Sequence, residues 1–274
     1  MKMKKTLLSL AMVSVLGFAS ASASAEVMLD FIVNETSAAP SITIGANTFG
    51  DSTLNADELN GSYVELFTAT SASTFVTSAY WQGASFSTNE GVTLITPSTN
   101  GGVGSGLNIT YGLYAIFSAT GTYAADGTFT GTTAAITFYI DPTNNTTISF
   151  LAGDTGFSTP TVTNGADDYV IATSSSLVDG DGNLSTGLAN GNFDIVFGSF
   201  TLTDPDGTSY FVSPDPFYLT LDLSGQFVEF IPGGTSELTG TADGHFAVPE
   251  PASLALLGLG LLGMGLAKSR RHSA

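Results

Sequence analysis

The chain has 274 residues, a formal charge of −18 and no cysteine. Its six basic side chains are confined to the two ends, so no Lys or Arg stands between residues 6 and 267, while all 24 Asp and Glu do. Disulfides are excluded, phosphate-directed nucleic-acid binding has no cations to use, and a His-rich zinc site is out of reach with His245 as the one histidine of that stretch.

Residues 1–25 read as a secretory signal peptide. Lys2, Lys4 and Lys5 form a basic start, Leu7 to Phe18 an apolar core, and Ala23-Ser24-Ala25 a small-x-small site for signal peptidase. Residues 26–247 are then an extracytoplasmic β-rich domain. Tyr111, Leu113, Ala115 and Phe117 alternate with their neighbours, as do Ile136, Phe138 and Ile140. Phe193, Ile195 and Phe197 do the same, and so do Phe217, Leu219, Leu221 and Leu223. That period of two is the signature of half-buried strands. Turns are expected at Asp126-Gly127, at Asp204-Pro205-Asp206-Gly207 and at Ser224-Gly225-Gln226, with a long loop over 97–106. The expectation is an all-β fold, an antiparallel β-sandwich of roughly a dozen strands.

The end of the chain breaks the pattern. Val248-Pro249-Glu250-Pro251 precedes 16 residues without a charge, Ala252 to Ala267, and then Lys268, Arg270 and Arg271. As a helix the run spans about 24 Å against a hydrocarbon core of about 30 Å. Proline keeps the entry extended, as a protease substrate must be, and the basic cluster favours the cytoplasmic side. Gly258, Gly260 and Gly263 fit G-x-G-x-x-G, but no strand precedes them and no ribose-binding acid follows.

The Pro-Glu-Pro triplet, the Leu/Gly-rich helix and the basic tail together resemble the PEP-CTERM sorting signal of Gram-negative bacteria. The resemblance implies processing near Pro249–Pro251 by an exosortase, a membrane-embedded cysteine transpeptidase, after transient anchoring in the inner membrane. It also implies a place at the outer surface or in the matrix, beside exopolysaccharide. A permanent C-terminal anchor is the other reading of the same residues. Within the body, LNGSYVELFT (59–68), SAYWQG (78–83), GSGLNITYGLYAIF (104–117), YIDPTNNTTISFL (139–151) and YFVSPDPFYLTLDLSGQ (210–226) resemble the flocculation-associated PEP-CTERM protein family. What this implies is a secreted, non-enzymatic protein that holds cells together in flocs or biofilm.

Two stretches offer binding chemistry. Asp179, Asp181 and Asn183 place oxygen ligands at alternate positions, like the start of a calcium loop. Leu184 and Asn190 stand where the glycine and the bidentate glutamate of such a loop belong, so an acidic turn is the competing reading. Asp167-Asp168 reads as a solvated pair. Tyr80-Trp81 suits sugar stacking or, on alternating faces, core packing. A carbohydrate-binding module, and after it a carboxylate-dependent glycosidase, are therefore the alternatives to a matrix protein. No cofactor other than Ca2+ is suggested.

Overall fold

A computed structural model describes residues 28–50, 53–95, 103–184, 191–227 and 234–247. The expected signal peptide with Ala23 and Ala25 lies outside the described residues. So do Val248, Pro249, Glu250 and Pro251, the apolar run, and Lys268, Arg270 and Arg271. Among the described residues no helix is long and apolar enough to cross a membrane.

Eight antiparallel strands form the body. They are β1 (Glu58–Ala69), β2 (Thr74–Thr88), β3 (Gly112–Tyr123), β4 (Thr128–Asp141), β5 (Ser176–Asn183), β6 (Gly191–Gly198), β7 (Thr220–Phe227) and β8 (Thr235–Ala247). Each pairs with the next in sequence, and β8 pairs with β1 from Thr235↔Thr68 to His245↔Glu58. The expected sandwich is therefore corrected to a closed up-and-down barrel. Alternation of apolar and polar residues is common to both folds. The β8–β1 ladder that closes the ring joins segments about as far apart as the chain allows, and no local pattern announces it. Partners can be followed around the ring from Thr74 on β2 through Thr122, Thr130, Asp181, Asp194, Ser224, Asp243 and Asn60. The path returns to β2 at Ser85. That offset tilts the strands steeply and opens the interior relative to an unstaggered ring.

Inward positions carry the core. Leu59, Tyr63 and Phe67 of β1 face Phe75, Ala79 and Trp81 of β2, with Leu113, Ile136, Phe138, Phe197, Leu221 and Phe246 from the other strands. Rings cross to neighbouring strands where a side chain is missing. The Trp81 indole lies over Gly61, and a Cβ there would overlap it; the Tyr63 ring lies over Gly240 in the same way. Ser224-Gly225-Gln226, expected as a turn, is the interior of β7: Gly225 sits where the Phe193 ring crosses, so the glycine serves close approach and not chain reversal.

The two barrel ends differ. At one, the β1–β2 and β3–β4 connections are short, and Ala124 and Gly127 form the turn expected at Asp126-Gly127. The other is closed by a small sheet in which Phe31–Val33 pairs with Leu54–Ala56 and Phe211–Ser213. Beside it lie a 3-10 turn, Glu35–Ser37, and the short helix α1 (Asp206–Tyr210). This cap is aromatic. Phe246 meets Phe31, Phe200, Phe211 and Phe217 with ring centroids 4.8–5.6 Å apart. Inside the cap Glu35 is fully buried and accepts hydrogen bonds from Ser105 Oγ (2.7 Å), Gly106 N–H (3.1 Å) and Tyr111 OH (2.9 Å).

A lobe over residues 142–168 covers the outside of β2 and β3. Its two short strands, Thr147–Ser149 and Thr161–Thr163, pair with each other. Ile148 packs with Tyr80 and Tyr114 in a second apolar cluster. Asp168, expected to be solvated, accepts from Tyr114 OH (2.6 Å) and Thr146 Oγ1 (2.9 Å) and so pins the lobe to β3. Burial pushes its carboxyl above the usual range, and those two donors oppose the shift.

Candidate functional site

Three places gather chemistry-bearing side chains: the barrel interior, the outer face of β5 to β8, and the point where the chain leaves β8.

The interior holds a cavity of about 90 Å³ with an almost wholly apolar lining. Glu65 stands on the inward register of β1, between Tyr63 and Phe67. Its Oε1 accepts a 2.5 Å hydrogen bond from Thr77 Oγ1 on β2, and Thr77 also reaches the Leu66 carbonyl at 3.2 Å. Burial pushes the Glu65 carboxyl up to about 7, against the lowering effect of the Thr77 bond. A carboxyl loses far more hydration energy when ionised than when neutral, so an apolar wall favours the protonated form. Tyr63 is 6% exposed, and its hydroxyl has no hydrogen-bond partner. Burial, then the nearby Glu65, raises that hydroxyl well above the ordinary tyrosine value. Sequence reasoning passed over Glu65 and Tyr63. The signal was present: in Leu59-x-Gly61-x-Tyr63-x-Glu65-x-Phe67 a carboxylate occupies an inward position of an otherwise apolar row.

The sequence-identified residues are scattered. Trp81 points into the barrel and donates its Nε1–H to the Ala242 carbonyl at 2.8 Å. Tyr80 points outward into the cluster under the lobe, and each residue is 8% exposed. They lie on opposite faces of β2 and form no shared platform. Asp179, Asp181 and Asn183 lie on β5, not in a loop, and extended backbone spreads them along one line of the outer face. Asp181 stands opposite Asp194, and Asn183 opposite Asn192. Among the described residues no group of three or more His, Asp or Glu side chains is disposed to hold a metal ion.

At the exit from β8, His245 lies between two acids in register, Asp222 on β7 and Glu58 on β1. Its Nε2 is 3.7 Å from Asp222 Oδ2, and both side chains are buried. Burial raises the Glu58 carboxyl, and the neighbouring Asp243 adds to the shift. Two residues later, at Ala247, β8 ends. Residues 247–271 match the PEP-CTERM protein-sorting motif. The chain carries a PEP-CTERM sorting signal. The match begins on the last residue of β8, so the PEP-CTERM segment follows the barrel with no intervening linker. A PEP-CTERM signal implies export across the inner membrane of a Gram-negative bacterium and processing by exosortase. No curated protein and no solved structure matches the chain.

Proposed function

We propose that the barrel is a non-enzymatic surface or matrix protein, released by exosortase and associated with exopolysaccharide in cell aggregation. The observation that carries this reading is the placement of the PEP-CTERM signal directly after β8. The cap joins the first and last described strands, so a cut beyond Ala247 leaves the barrel intact. An all-β body whose outer faces are rich in Thr, Ser, Asn and Asp offers hydrogen-bonding groups to polysaccharide hydroxyls. It carries no Lys or Arg to neutralise acidic polymers directly. The sequence resemblance to flocculation-associated proteins points the same way. Burial of both Tyr80 and Trp81 does not favour a sugar-stacking module at those residues.

The test is a deletion strain scored for cell aggregation and exopolysaccharide yield, complemented by the full chain or by a chain ending at Ala247. Loss of aggregation with undiminished polysaccharide synthesis, restored by the full chain, supports a matrix role. Normal aggregation in the deletion strain overturns it.

A further inference from the structure

The outer surface of the barrel divides by charge. Between Glu65 and Asp141 the only acids are Glu90 and Asp126, and both lie in turns. β2 and β3 therefore carry no acid, and β4 none before its last residue, Asp141. β5 to β8 carry Asp179, Asp181, Asp194, Asp222, Glu237 and Asp243. What β3 and β4 present to solvent beside the lobe is hydroxyls, with Ser118, Thr122, Thr130, Thr132 and Thr133 exposed. Thr120 Oγ1 lies 2.9 Å from Thr132 Oγ1 and 2.7 Å from Thr133 Oγ1, so these side chains are held as a set. At the edge of this neutral face the lobe puts forward an aromatic ring. Phe157 is 72% exposed, at the tip of a turn in which Ser158 N–H donates to the Thr155 carbonyl at 2.7 Å. The turn is fastened to the barrel on both sides of the ring. Gly156 N–H donates to Thr68 Oγ1 (2.6 Å), and the Ser158 carbonyl accepts from Ser78 Oγ (2.5 Å). A Cβ at Gly156 would overlap the Val76 and Leu66 carbonyls, so the glycine lets the turn come down this close. Ser78 stands opposite Ser118, which places the turn within one strand of the hydroxyl face. Asp154, the acid nearest Phe157 in sequence, is taken by Leu151 N–H at 2.8 Å, and Glu237, opposite Leu66, bounds the face on its other side. A lone exposed apolar side chain is ordinary. A ring that two hydrogen bonds to a rigid scaffold hold in water, beside an uncharged face, is placed as binding residues are.

We propose that Phe157 and the hydroxyl face of β3 and β4 bind a neutral polysaccharide. One sugar ring stacks on Phe157, and sugar hydroxyls exchange hydrogen bonds with Ser118, Thr120, Thr132 and Thr133. A pyranose has apolar C–H faces and a rim of hydroxyls, the chemistry that an exposed aromatic beside a threonine array answers. Charge selects the neutral chain. The body carries only acidic formal charges between the chain's ends, so its field repels a carboxylate-bearing polymer. On the acid-free face a neutral sugar displaces water without stripping it from a carboxylate. The face is also extended. Neighbouring strands lie about 4.8 Å apart and alternate residues of one strand about 6.8 Å apart, so a polymer meets hydroxyls at several successive sugars. Each contact is weak at a wet surface, and several along one chain reinforce each other through effective concentration. The inference rests on the proposed association with exopolysaccharide and narrows it to one surface and one class of polymer.

For the test, exopolysaccharide from the producing bacterium is separated by anion exchange into a neutral and an acidic fraction. The exported protein is run through native gels containing increasing amounts of each fraction, with chelator present. The neutral fraction retards it saturably, and the acidic fraction does so far less. Phe157→Ala weakens the interaction by at least about tenfold, and Phe157→Trp restores it. Replacement of Thr132 and Thr133 together by Val weakens it several-fold, whereas Gln226→Ala on the acidic side leaves it unchanged. All these side chains are exposed, and thermal unfolding checks that each variant keeps the fold. The proposal is overturned by no retardation in the neutral fraction, by stronger retardation in the acidic one, by a polymer without a neutral fraction, or by parental affinity in Phe157→Ala. Any of these in a bacterium whose deletion strain still loses aggregation removes this surface and leaves the matrix role standing. Normal aggregation in the deletion strain removes the matrix role whatever the protein binds.

Discussion

Phe31 and Phe246 meet edge to face, with ring centroids 5.1 Å apart and planes at 88°. One lies on the first described strand and the other on β8, so the beginning and the end of the folded body are pinned at the capped end of the barrel. A chain tethered through residues beyond Ala247 presents its short-turn end away from the tether. Phe246 is also the hub of the cap, in contact with Phe200, Phe211, Phe217 and Tyr218.

Phe246→Ala removes that hub. The ring is fully buried, and truncation of a buried phenylalanine costs about 3–5 kcal/mol through lost transfer energy and the cavity left behind. Thermal unfolding of the exported variant is expected to fall well below that of the parent, whereas Phe157→Ala, at a residue 72% exposed, leaves it nearly unchanged. Equal loss in both variants would show that the cap does not hold the barrel closed.

Gly61 faces the indole of Trp81 as it crosses from β2 toward the Ala242 carbonyl on β8. Gly61→Ala forces that ring aside and threatens its 2.8 Å hydrogen bond. The expected cost is about 2–4 kcal/mol, more than overpacking alone, since a buried N–H and a carbonyl are left unsatisfied together. A blue-to-red shift of Trp81 emission should accompany the loss. An unperturbed emission spectrum with parental stability would contradict the packing described.

Processing is expected beyond the barrel. Mass spectrometry of the exported protein should find its C-terminus near Pro249–Pro251 and a barrel complete through Ala247. A chain intact to Ala274 in the outer or extracellular fraction would favour the permanent-anchor reading.

The sequence made the strands legible and the ring illegible. Ile136, Phe138 and Ile140 alternate as expected and face inward on β4. Leu219, placed in the same alternating run as Leu221, is 58% exposed and lies before β7 begins at Thr220. Its apolar character marked a strand approach and not a core face. Asp179, Asp181 and Asn183 looked like a loop because Gly180 and Gly182 separate them. In the barrel those glycines point inward: a Cβ at Gly180 would meet Leu177, and one at Gly182 the Phe129 ring. The inward, half-buried carboxyl of Glu65 was hidden for a different reason. With so many acids in the chain, one of them on an inward position is visible only once the register of β1 is known.

Glu65 also contributes to the pH dependence of stability. Mutual repulsion of carboxylates gives one expectation from the sequence: stability falls as pH rises, and salt restores part of it. The structure keeps the direction but changes the leading cause, since burial is the largest contribution at Glu58, Glu65, Asp168 and Asp243. For Glu65 the folded value of about 7 exceeds the ordinary 4.5, so the folded state holds its proton more tightly than the unfolded state. Its contribution is therefore complete below about pH 4.5 and is lost as pH rises through about 7. A shift of that size corresponds to about 3 kcal/mol. Asp126 works weakly in the opposite direction, because its bonds from Thr128 lower its carboxyl at the surface. The melting temperature of the parent is expected to fall by roughly 5–10 °C between pH 5 and pH 8. Sodium chloride should recover little of that loss, because an interior carboxylate is screened far less than an exposed one. In Glu65→Gln the slope should become shallower, with Glu58, Asp168 and Asp243 supplying the remainder. A slope that survives the substitution and disappears in salt would return the effect to repulsion among surface carboxylates and leave Glu65 without a part in it.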